Sequence, residues 1–376
     1  MYKMMTPGPT QVHEDVLLAR SRPFPNPDMD EGFVAFYEET CKRLTRLLGG
    51  TADHETLILG GEGMLALEAA IASITEPGDR VLVLSNGEFG AGFADLVKLY
   101  GGLPLEYSTD PRRPIDPMAL QIYLENNHKF KYATLVHCDT PSGRLNDMAG
   151  LCRVLKSYGI LTVVDAVASS FGQAVDVKWG ADILCTATQK ALSAPPGLCF
   201  VTLSPGGFAA IKKRNEPIKS YYANLLNYAS YRQEGWFPYT MPASDILSLG
   251  VALDRLEADK EALQRHDLIA RACRAAIEKS GLELYGDGGF ANTVTAFLVP
   301  EGVTDKEVID TMRSDYNILI ANSFGVFAGK LLRIGHMGES CTKEAVAETL
   351  DALGKTLEKL GVTLEKPPVE IFLRRV

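Results

Sequence analysis

The stretch "LTVVDAVASSFGQAVDVKWGADILCTATQK", residues 161–190, decides the fold because it contains two apolar runs separated by a short crossover. Apolar runs of this length, without polar alternation, are typical of strands that are covered on both faces. Asp165 ends the first run, and Lys190 follows the second run, 25 positions after Asp165. That spacing fits one strand–crossover–strand step, so we expect both side chains at the same edge of a sheet.

Further runs of the same kind alternate with helical segments. The runs are "LILG" from 57, "RVLVLS" from 80, "YATLVH" from 132 and "LCFVTL" from 198, and the helical candidates include 63–75 and 147–159. This alternation predicts an α/β fold with a mostly parallel sheet covered by helices. From about 244 a long amphipathic stretch predicts a bent connector helix, and an α+β pattern follows it. We therefore expect a large domain over 15–255 and a smaller C-terminal domain over 256–376.

Composition excludes several classes of protein. The chain has 376 residues and a formal charge of −9, which argues against a broad nucleic-acid surface. No apolar run approaches the ~18 residues of a membrane helix, and the N-terminus lacks a signal-peptide pattern, so we expect a cytoplasmic protein. The seven cysteines form no C-x-x-C pair. This usage is typical of reduced thiols in the core and predicts neither a disulfide framework nor a metal site.

The first motif with chemical potential is the glycine loop in "LILGGEGMLALEAA", residues 57–70. A strand runs through Gly61, Glu62 and Gly63 into a helix, which directs backbone N–H groups and the positive end of a helix dipole toward an anion. The loop also satisfies the loose dinucleotide fingerprint of a dehydrogenase. An ordinary structural turn is a third interpretation, and the loop alone does not decide among them.

Asp165 and Lys190 help to decide among these three interpretations of the glycine loop. Asp165 could be a simple helix cap, and Lys190 could be a solvated lysine. The segments beside Lys190, "CTATQ" and "ALSAPPG", are small and apolar, so desolvation would lower the pKa of the amine and make it a nucleophile. A carboxylate, an amine and an anion-binding loop together describe a pyridoxal 5′-phosphate site, with Lys190 as the Schiff base and Asp165 on the pyridinium nitrogen. A dehydrogenase leaves Lys190 unexplained.

At these residues the chain resembles the class V aminotransferases of pyridoxal-phosphate fold type I, and within them the alanine–glyoxylate and serine–pyruvate aminotransferase group. The resemblance runs nearly end to end and includes "TPGPT" at 6–10, "HCDTPSG" at 137–143, "VVDAVAS" at 163–169, "TQKALSAPPG" at 188–197 and "LLRIGHMG" at 331–338. It implies the large and small domains of that fold, with residues 1–14 near the active site.

The resemblance also implies a role for each site residue. Lys190 forms the internal aldimine and then moves the proton, and Asp165 keeps the pyridine nitrogen protonated. The cofactor ring or phosphate is further contacted by Gly61, Glu62, Gly63, Met64, Phe89, Thr140 and Gln189, and by Tyr239 and Thr240, of which Thr240 reaches the phosphate of a neighbouring subunit. Arg333 clamps the substrate carboxylate, and Gly8 lies in the segment that closes over the substrate. A homodimer with shared active sites is implied.

Three departures leave the amino donor open. Met64 stands where many relatives carry a hydroxyl or histidine, Asn322 and Ser323 replace a glycine pair, and residues 21–33 differ near the substrate entrance. We expect transfer between a small amino acid, alanine or serine, and glyoxylate or pyruvate. A 2-aminoethylphosphonate–pyruvate transaminase is the alternative. A cysteine desulfurase is disfavoured because no cysteine lies between 274 and 340, and a binding protein without turnover is disfavoured because every chemical residue is present.

Overall fold

A seven-stranded sheet forms the centre of the protein. The computed structural model describes residues 2–376, without the side chains of Arg232 and Gln233. The strands of the chain are β1 (Lys3–Met4), β2 (Glu55–Gly60), β3 (Arg80–Ser85), β4 (Leu103–Ser108), β5 (Tyr132–Val136), β6 (Cys138–Asp139), β7 (Arg144–Leu145), β8 (Leu161–Asp165), β9 (Ile183–Ala187), β10 (Leu198–Leu203), β11 (Val294–Leu298), β12 (Ile318–Leu319), β13 (Ala321–Asn322) and β14 (Leu331–Gly335).

The central sheet has the order β2-β10-β9-β8-β5-β3-β4. β10 is antiparallel to both of its neighbours, and the remaining pairs are parallel. β2 therefore runs in the same direction as β9, and the carboxyl ends of β2, β3, β5, β8 and β9 all meet at one edge. Pairing of β8 with β5 and β9 sets Asp165 opposite Val136 and Cys185. The expected mostly parallel α/β sheet is confirmed.

Helices cover the sheet and build the C-terminal region. They are α1 (Glu14–Arg20), α2 (Glu31–Leu47), α3 (Gly63–Ile74), α4 (Glu88–Leu99), α5 (Pro117–Asn126), α6 (Met148–Ser157), α7 (Pro205–Lys212), α8 (Leu225–Ala229), α9 (Tyr231–Glu234), α10 (Ala243–Ala258), α11 (Ala262–Lys279), α12 (Asp305–Tyr316), α13 (Lys343–Lys359) and α14 (Pro368–Leu373). Over residues 2–376, none of these helices combines the length and the apolar character that a membrane crossing requires.

Alternate residues of each central strand enter opposite hydrophobic clusters. Val163 packs into the cluster on one face of the sheet and Val164 into the cluster on the other, and Ile183 and Leu184 divide in the same way. Both faces of the sheet are therefore dry, which is why these strands read as continuous apolar runs rather than as alternating ones.

A third cluster forms the core of the C-terminal region. It combines residues of α11 to α14 and of the three-stranded sheet β11-β14-β13 with Met5 from the N-terminal segment. β1 pairs with β12, and the N–H of Gly335 donates to the carbonyl of Met5 at 2.7 Å. The N-terminal segment is thus held by the C-terminal region while it leads toward the central sheet.

Two features differ from the sequence-based expectations. β4 was not expected, because it is an edge strand whose residues are largely exposed and it contains no continuous apolar run. The connector is two helices, α10 and α11, separated at residues 259–261. The expected domain boundary after residue 255 falls inside α10, and the division into 15–255 and 256–376 stays a prediction.

A methyl group at Gly335 should loosen the N-terminal segment. A Cβ there would collide with the backbone of Thr6 and Pro7, which cannot yield as a flexible side chain could. We expect Gly335→Ala to lower the free energy of unfolding by about 1–3 kcal/mol, the usual cost of overpacking. The measurement is urea unfolding followed by circular dichroism. Gly92→Ala in α4 is the control, since its Cβ would meet nothing within 4 Å; an equal midpoint for both variants would contradict the close contact.

Candidate active site

A cleft of about 110 Å³ opens at the carboxyl edge of the central sheet. It is lined by eight residues of the expected site, Glu62, Gly63, Met64, Phe89, Thr140, Asp165, Gln189 and Lys190, together with Leu67, Cys138, Val167 and Ala168. Residues that are far apart in the sequence meet here because the strands that precede them are neighbours and end at the same edge.

Asp165 occupies the floor of the cleft at the end of β8. Its side chain is 5% exposed, and its Oδ1 accepts a hydrogen bond from the N–H of Val167 at 2.8 Å. Burial raises the pKa of Asp165 to about 7, although the Val167 N–H and the charge of Lys190 oppose this shift. A buried carboxyl in this condition gains strongly from a cationic partner, such as a protonated ring nitrogen.

Lys190 follows β9 and projects into the same cleft. Its Nζ donates to the carbonyl of Pro7 at 2.7 Å. Burial and then the positive charge of Arg333 lower the pKa of Lys190 to about 8, while Asp165 and Glu62 act in the opposite direction. More of the amine is therefore neutral at neutral pH than in a solvent-exposed lysine, and the neutral form is the one that attacks a carbonyl carbon.

The N-terminal segment forms one wall beside Lys190. Gly8 has a φ of +102°, and a Cβ at this position would occupy the space of the Lys190 side chain. The hydroxyl of Thr10 donates to the Lys190 carbonyl at 3.0 Å. The structure therefore places Gly8 against the amine of Lys190.

The glycine loop leads from β2 into α3, and its residues differ in position. The N–H of Gly61 donates to the carbonyl of Gly197 at 2.8 Å, and the glycine faces Leu65 rather than the cleft. Glu62 is the N-cap of α3: its Oε1 accepts from the Met64 N–H at 3.0 Å, and its Oε2 accepts from Nε2 of Gln189 at 3.1 Å. A side-chain carboxylate therefore lies at the helix end that was expected to receive a phosphate.

Phe89 lines the cleft from the start of α4. Its backbone N–H donates to Oδ1 of Asp139 at 3.1 Å, and its ring meets the edge of Phe324 at 5.9 Å between centroids. Asp139 was not expected. It is fully buried, burial raises its pKa to about 6, and it also accepts from the Ser142 hydroxyl at 2.8 Å. Its acidic side chain inside the quoted motif "HCDTPSG" was the available signal.

Arg333 in β14 lies behind the cleft wall. Its Nε donates to the carbonyl of Asn322 at 2.8 Å, and its Nη1 donates to the carbonyl of Thr140 at 3.2 Å. The residue is 7% exposed, and burial lowers its pKa to about 10. Phe324 covers the guanidinium, with Cζ 5.7 Å from the ring centroid. The guanidinium thus reaches the cleft through Thr140, which lines it.

Three of the expected cofactor contacts, Gly61, Tyr239 and Thr240, lie outside this cleft. Tyr239 stacks on Tyr222 with 4.4 Å between ring centroids, and its hydroxyl contacts that of Tyr228. Thr240 is exposed to solvent. Within one chain, Gly61, Tyr239 and Thr240 are therefore not brought to the cleft.

Comparison with known proteins identifies the family of this chain. Residues 25–322 match the model of the family "aminotransferase class-V". The chain belongs to the class V aminotransferases. An uncharacterised aminotransferase of Methanocaldococcus jannaschii is 34% identical over 92% of this chain and 90% of its own length. The pyridoxamine–pyruvate transaminase of Mesorhizobium japonicum is 32% identical over 89% and 86%.

A solved structure agrees with the sequence relatives. The crystal structure of ureidoglycine–glyoxylate aminotransferase from Bacillus subtilis superposes with a TM-score of 0.94 at 29% identity and covers 100% of this chain and 97% of its own. The protein is a pyridoxal-phosphate-dependent aminotransferase, so the expected fold, enzyme class and cofactor are confirmed and the dehydrogenase alternative is wrong. The side chains fit the ring end of the cofactor, because a carboxyl that could hold the ring nitrogen and an amine that could bond the aldehyde line the same cleft.

Replacing Asp165 by Asn should stabilise the cofactor-free protein at neutral and alkaline pH. The folded-state pKa of about 7 is raised, so the stability that comes from the protonated carboxyl is complete below about pH 4 and is lost as the pH rises to about 7. The side chain of the Asn variant is neutral at every pH. As the pH rises from about 4 to about 7, the free energy of unfolding of this variant should therefore increase relative to that of the wild type by on the order of a few kcal/mol. Urea unfolding at about pH 5 and about pH 8 measures this difference.

The control for this prediction is Asp182→Asn. Asp182 is also buried, but its carboxylate accepts from the Thr162 N–H at 2.9 Å and from the Ser204 hydroxyl at 3.0 Å. This variant should lose stability at both pH values, since a satisfied buried carboxylate is replaced. A loss of stability in Asp165→Asn at about pH 8 would show that the Asp165 carboxyl is compensated inside the protein.

Proposed function

We propose that the enzyme transfers an amino group between a small amino acid, of the alanine or serine type, and a 2-oxo acid such as glyoxylate or pyruvate. The observation that carries this proposal is the shared cleft of Lys190 and Asp165, with the guanidinium of Arg333 bonded to the Thr140 wall. Pyruvate and glyoxylate occur in the names of two relatives described above.

Lys190, Asp165 and Phe89 have different proposed roles in this reaction. Pyridoxal phosphate, when bound, supplies an aldehyde and an electron-withdrawing ring. Nζ of Lys190 would bond that aldehyde and, once released, would take and return the proton of the substrate α-carbon. The carboxylate of Asp165 holds a proton on the ring nitrogen, where its own burial makes a cation favourable. The Phe89 ring, which lines the cleft, would limit movement of the cofactor and exclude water beside it.

Arg333 supports a carboxylate substrate rather than a phosphonate one. Its guanidinium already donates to two backbone carbonyls, which fix the plane of the fork. A carboxylate matches a planar fork with two parallel hydrogen bonds. Among the described residues that line the cleft, Lys190 is the only cation, and it is the group proposed to bond the aldehyde, so a phosphonate dianion would have Arg333 as its single counter-charge. 2-Aminoethylphosphonate is therefore the alternative donor and not the favoured one.

Pyridoxamine is a second candidate donor, favoured by a specific observation. One relative is named as a pyridoxamine–pyruvate transaminase, and in this chain the carboxylate of Glu62 lies at the N-terminus of α3. A donor without a phosphate group would leave this carboxylate in place.

The proposed assembly is a cytoplasmic homodimer with shared active sites. Support comes from the exposed side chains of Tyr221, Tyr222 and Trp236, which lie near exposed Thr240 in the sequence. All seven cysteines are buried and unpaired, which suits a reducing compartment. Light scattering coupled to size-exclusion chromatography measures the assembly, and a monomer under assay conditions would contradict it.

A donor panel tests the reaction, with Lys190→Ala as its key variant. Alanine, serine, 2-aminoethylphosphonate and pyridoxamine are each assayed against glyoxylate and pyruvate. We expect turnover with alanine or serine, and a loss of about 10³-fold or more in Lys190→Ala, because both the nucleophile and the proton carrier are removed. The variant should also lose the visible absorbance band that borohydride removes. Lys178→Ala, at an exposed lysine, is the control, and full activity in Lys190→Ala would refute the role.

Arg333→Lys should weaken the binding of carboxylate substrates. Lysine keeps the positive charge but cannot form the paired hydrogen bonds of a guanidinium. We expect KM for the amino acid to rise by about tenfold or more with a smaller change in kcat, because the clamp acts in both ground and transition states. Steady-state kinetics measure both constants. Arg313→Lys on α12, whose arginine pairs with Asp310 at the surface, is the matched control; an unchanged KM in Arg333→Lys would exclude the clamp.

A further inference from the structure

The N-terminus of α3 already holds an anion that belongs to the protein. The carboxylate of Glu62 accepts from the Met64 N–H at 3.0 Å, while the Glu62 carbonyl accepts from the Leu65 N–H at 2.9 Å. Two of the first N–H groups of the helix are thereby used. A phosphate that approached this helix end would have to displace a negatively charged group from it.

Gln189 gives a second, independent indication of which ligand groups the cleft binds beside the N-terminus of α3. Its Nε2 donates to Oε2 of Glu62 at 3.1 Å, and because a carboxylate can only accept, this bond fixes which way the amide points. Oε1 of Gln189 is then left buried without a hydrogen-bond partner, in a residue that is 7% exposed and lines the cleft. A buried acceptor without a partner calls for a donor.

The side-chain oxygens at this end of the cleft are acceptors. Glu62 offers carboxylate oxygens and Gln189 offers an amide oxygen, whereas a phosphate dianion also has only acceptors. The negative charge of Glu62 reaches the catalytic groups as well, since it acts on both Lys190 and Asp165. A hydroxyl group, by contrast, can donate to either oxygen without adding charge.

We propose that Glu62 sets the vitamer preference of the enzyme, so that the cleft accepts vitamin B6 compounds with a free 5′-hydroxymethyl group and binds the phosphorylated cofactor only when the Glu62 carboxylate leaves the helix end. The hydroxyl of the unphosphorylated compound donates to Oε1 of Gln189 or to Glu62. This inference rests on the proposed function, because it takes Lys190 as the group that bonds the aldehyde of either compound.

The experiment compares the binding of pyridoxal and pyridoxal phosphate to the full chain freed of cofactor. Nζ of Lys190 adds to the aldehyde carbon and water leaves, and the visible band that results reports binding without any assay of turnover. We expect Glu62→Gln to tighten pyridoxal phosphate by about tenfold or more relative to the wild type, with little change for pyridoxal. Glu62→Ser, whose hydroxyl also caps helices, repeats the test if the Gln variant does not fold.

Glu68→Gln is the matched control. Glu68 lies on the same helix and loses the same charge, but its carboxylate accepts from the Tyr100 hydroxyl at 2.6 Å and does not line the cleft. An equal dissociation constant for pyridoxal phosphate in the wild type and Glu62→Gln, with a band for both aldehydes, would overturn the inference and leave the proposed function intact. The absence of a band with either aldehyde in the wild type would refute the proposed function and the inference together.

Discussion

The burial of Asp165 and Lys190 in one cleft is the constraint on which the site depends. Desolvation disfavours the charged form of each, and it brings the pKa of the carboxyl up to about 7 and that of the amine down to about 8. Each group is thus left in a state that a suitable ligand would relieve: a cationic ring nitrogen beside the carboxyl and a carbonyl carbon beside the amine. The roles proposed for Asp165 and Lys190 follow from this shared burial.

The direction of the strands explains how the cleft is assembled. β8 and β9 are parallel neighbours, so Asp165 and the loop that carries Lys190 emerge at one edge. β10 then returns antiparallel between β9 and β2, which makes β2 run with the parallel strands and brings α3 to the same edge. The antiparallel strand β10 therefore allows β2 to place the N-terminus of α3 at the cleft. Arg333 lies on β14 in the C-terminal region and reaches the cleft through its hydrogen bond to the Thr140 carbonyl.

The fold was predictable wherever burial left a simple trace in the sequence. Six central strands are dry on both faces and read as apolar runs, whereas β4 lies at the edge with exposed residues and leaves no such run. The position of Asp165 and Lys190 in one cleft was predictable because each follows an apolar run and the two runs form neighbouring parallel strands. Contacts made by the backbone were not predictable, because every residue type carries the same carbonyl group. Examples are the Pro7 carbonyl that accepts from Lys190 and the Asn322 carbonyl that accepts from Arg333. The exposed position of Thr240 likewise depends on packing.

The two ends of the cleft also differ in what family membership can determine. At the ring end, the reaction itself requires a carboxylate and an amine, so the same residue types recur wherever the chemistry does. At the α3 end the requirement is only that the first N–H groups of a helix find an acceptor, and a phosphate or a side-chain carboxylate satisfies it equally well. A glycine loop between a strand and a helix therefore identifies an anion position without identifying the anion. In this chain the residue just before the helix is Glu62, and its bonds to Met64 and Gln189 make the anion part of the protein.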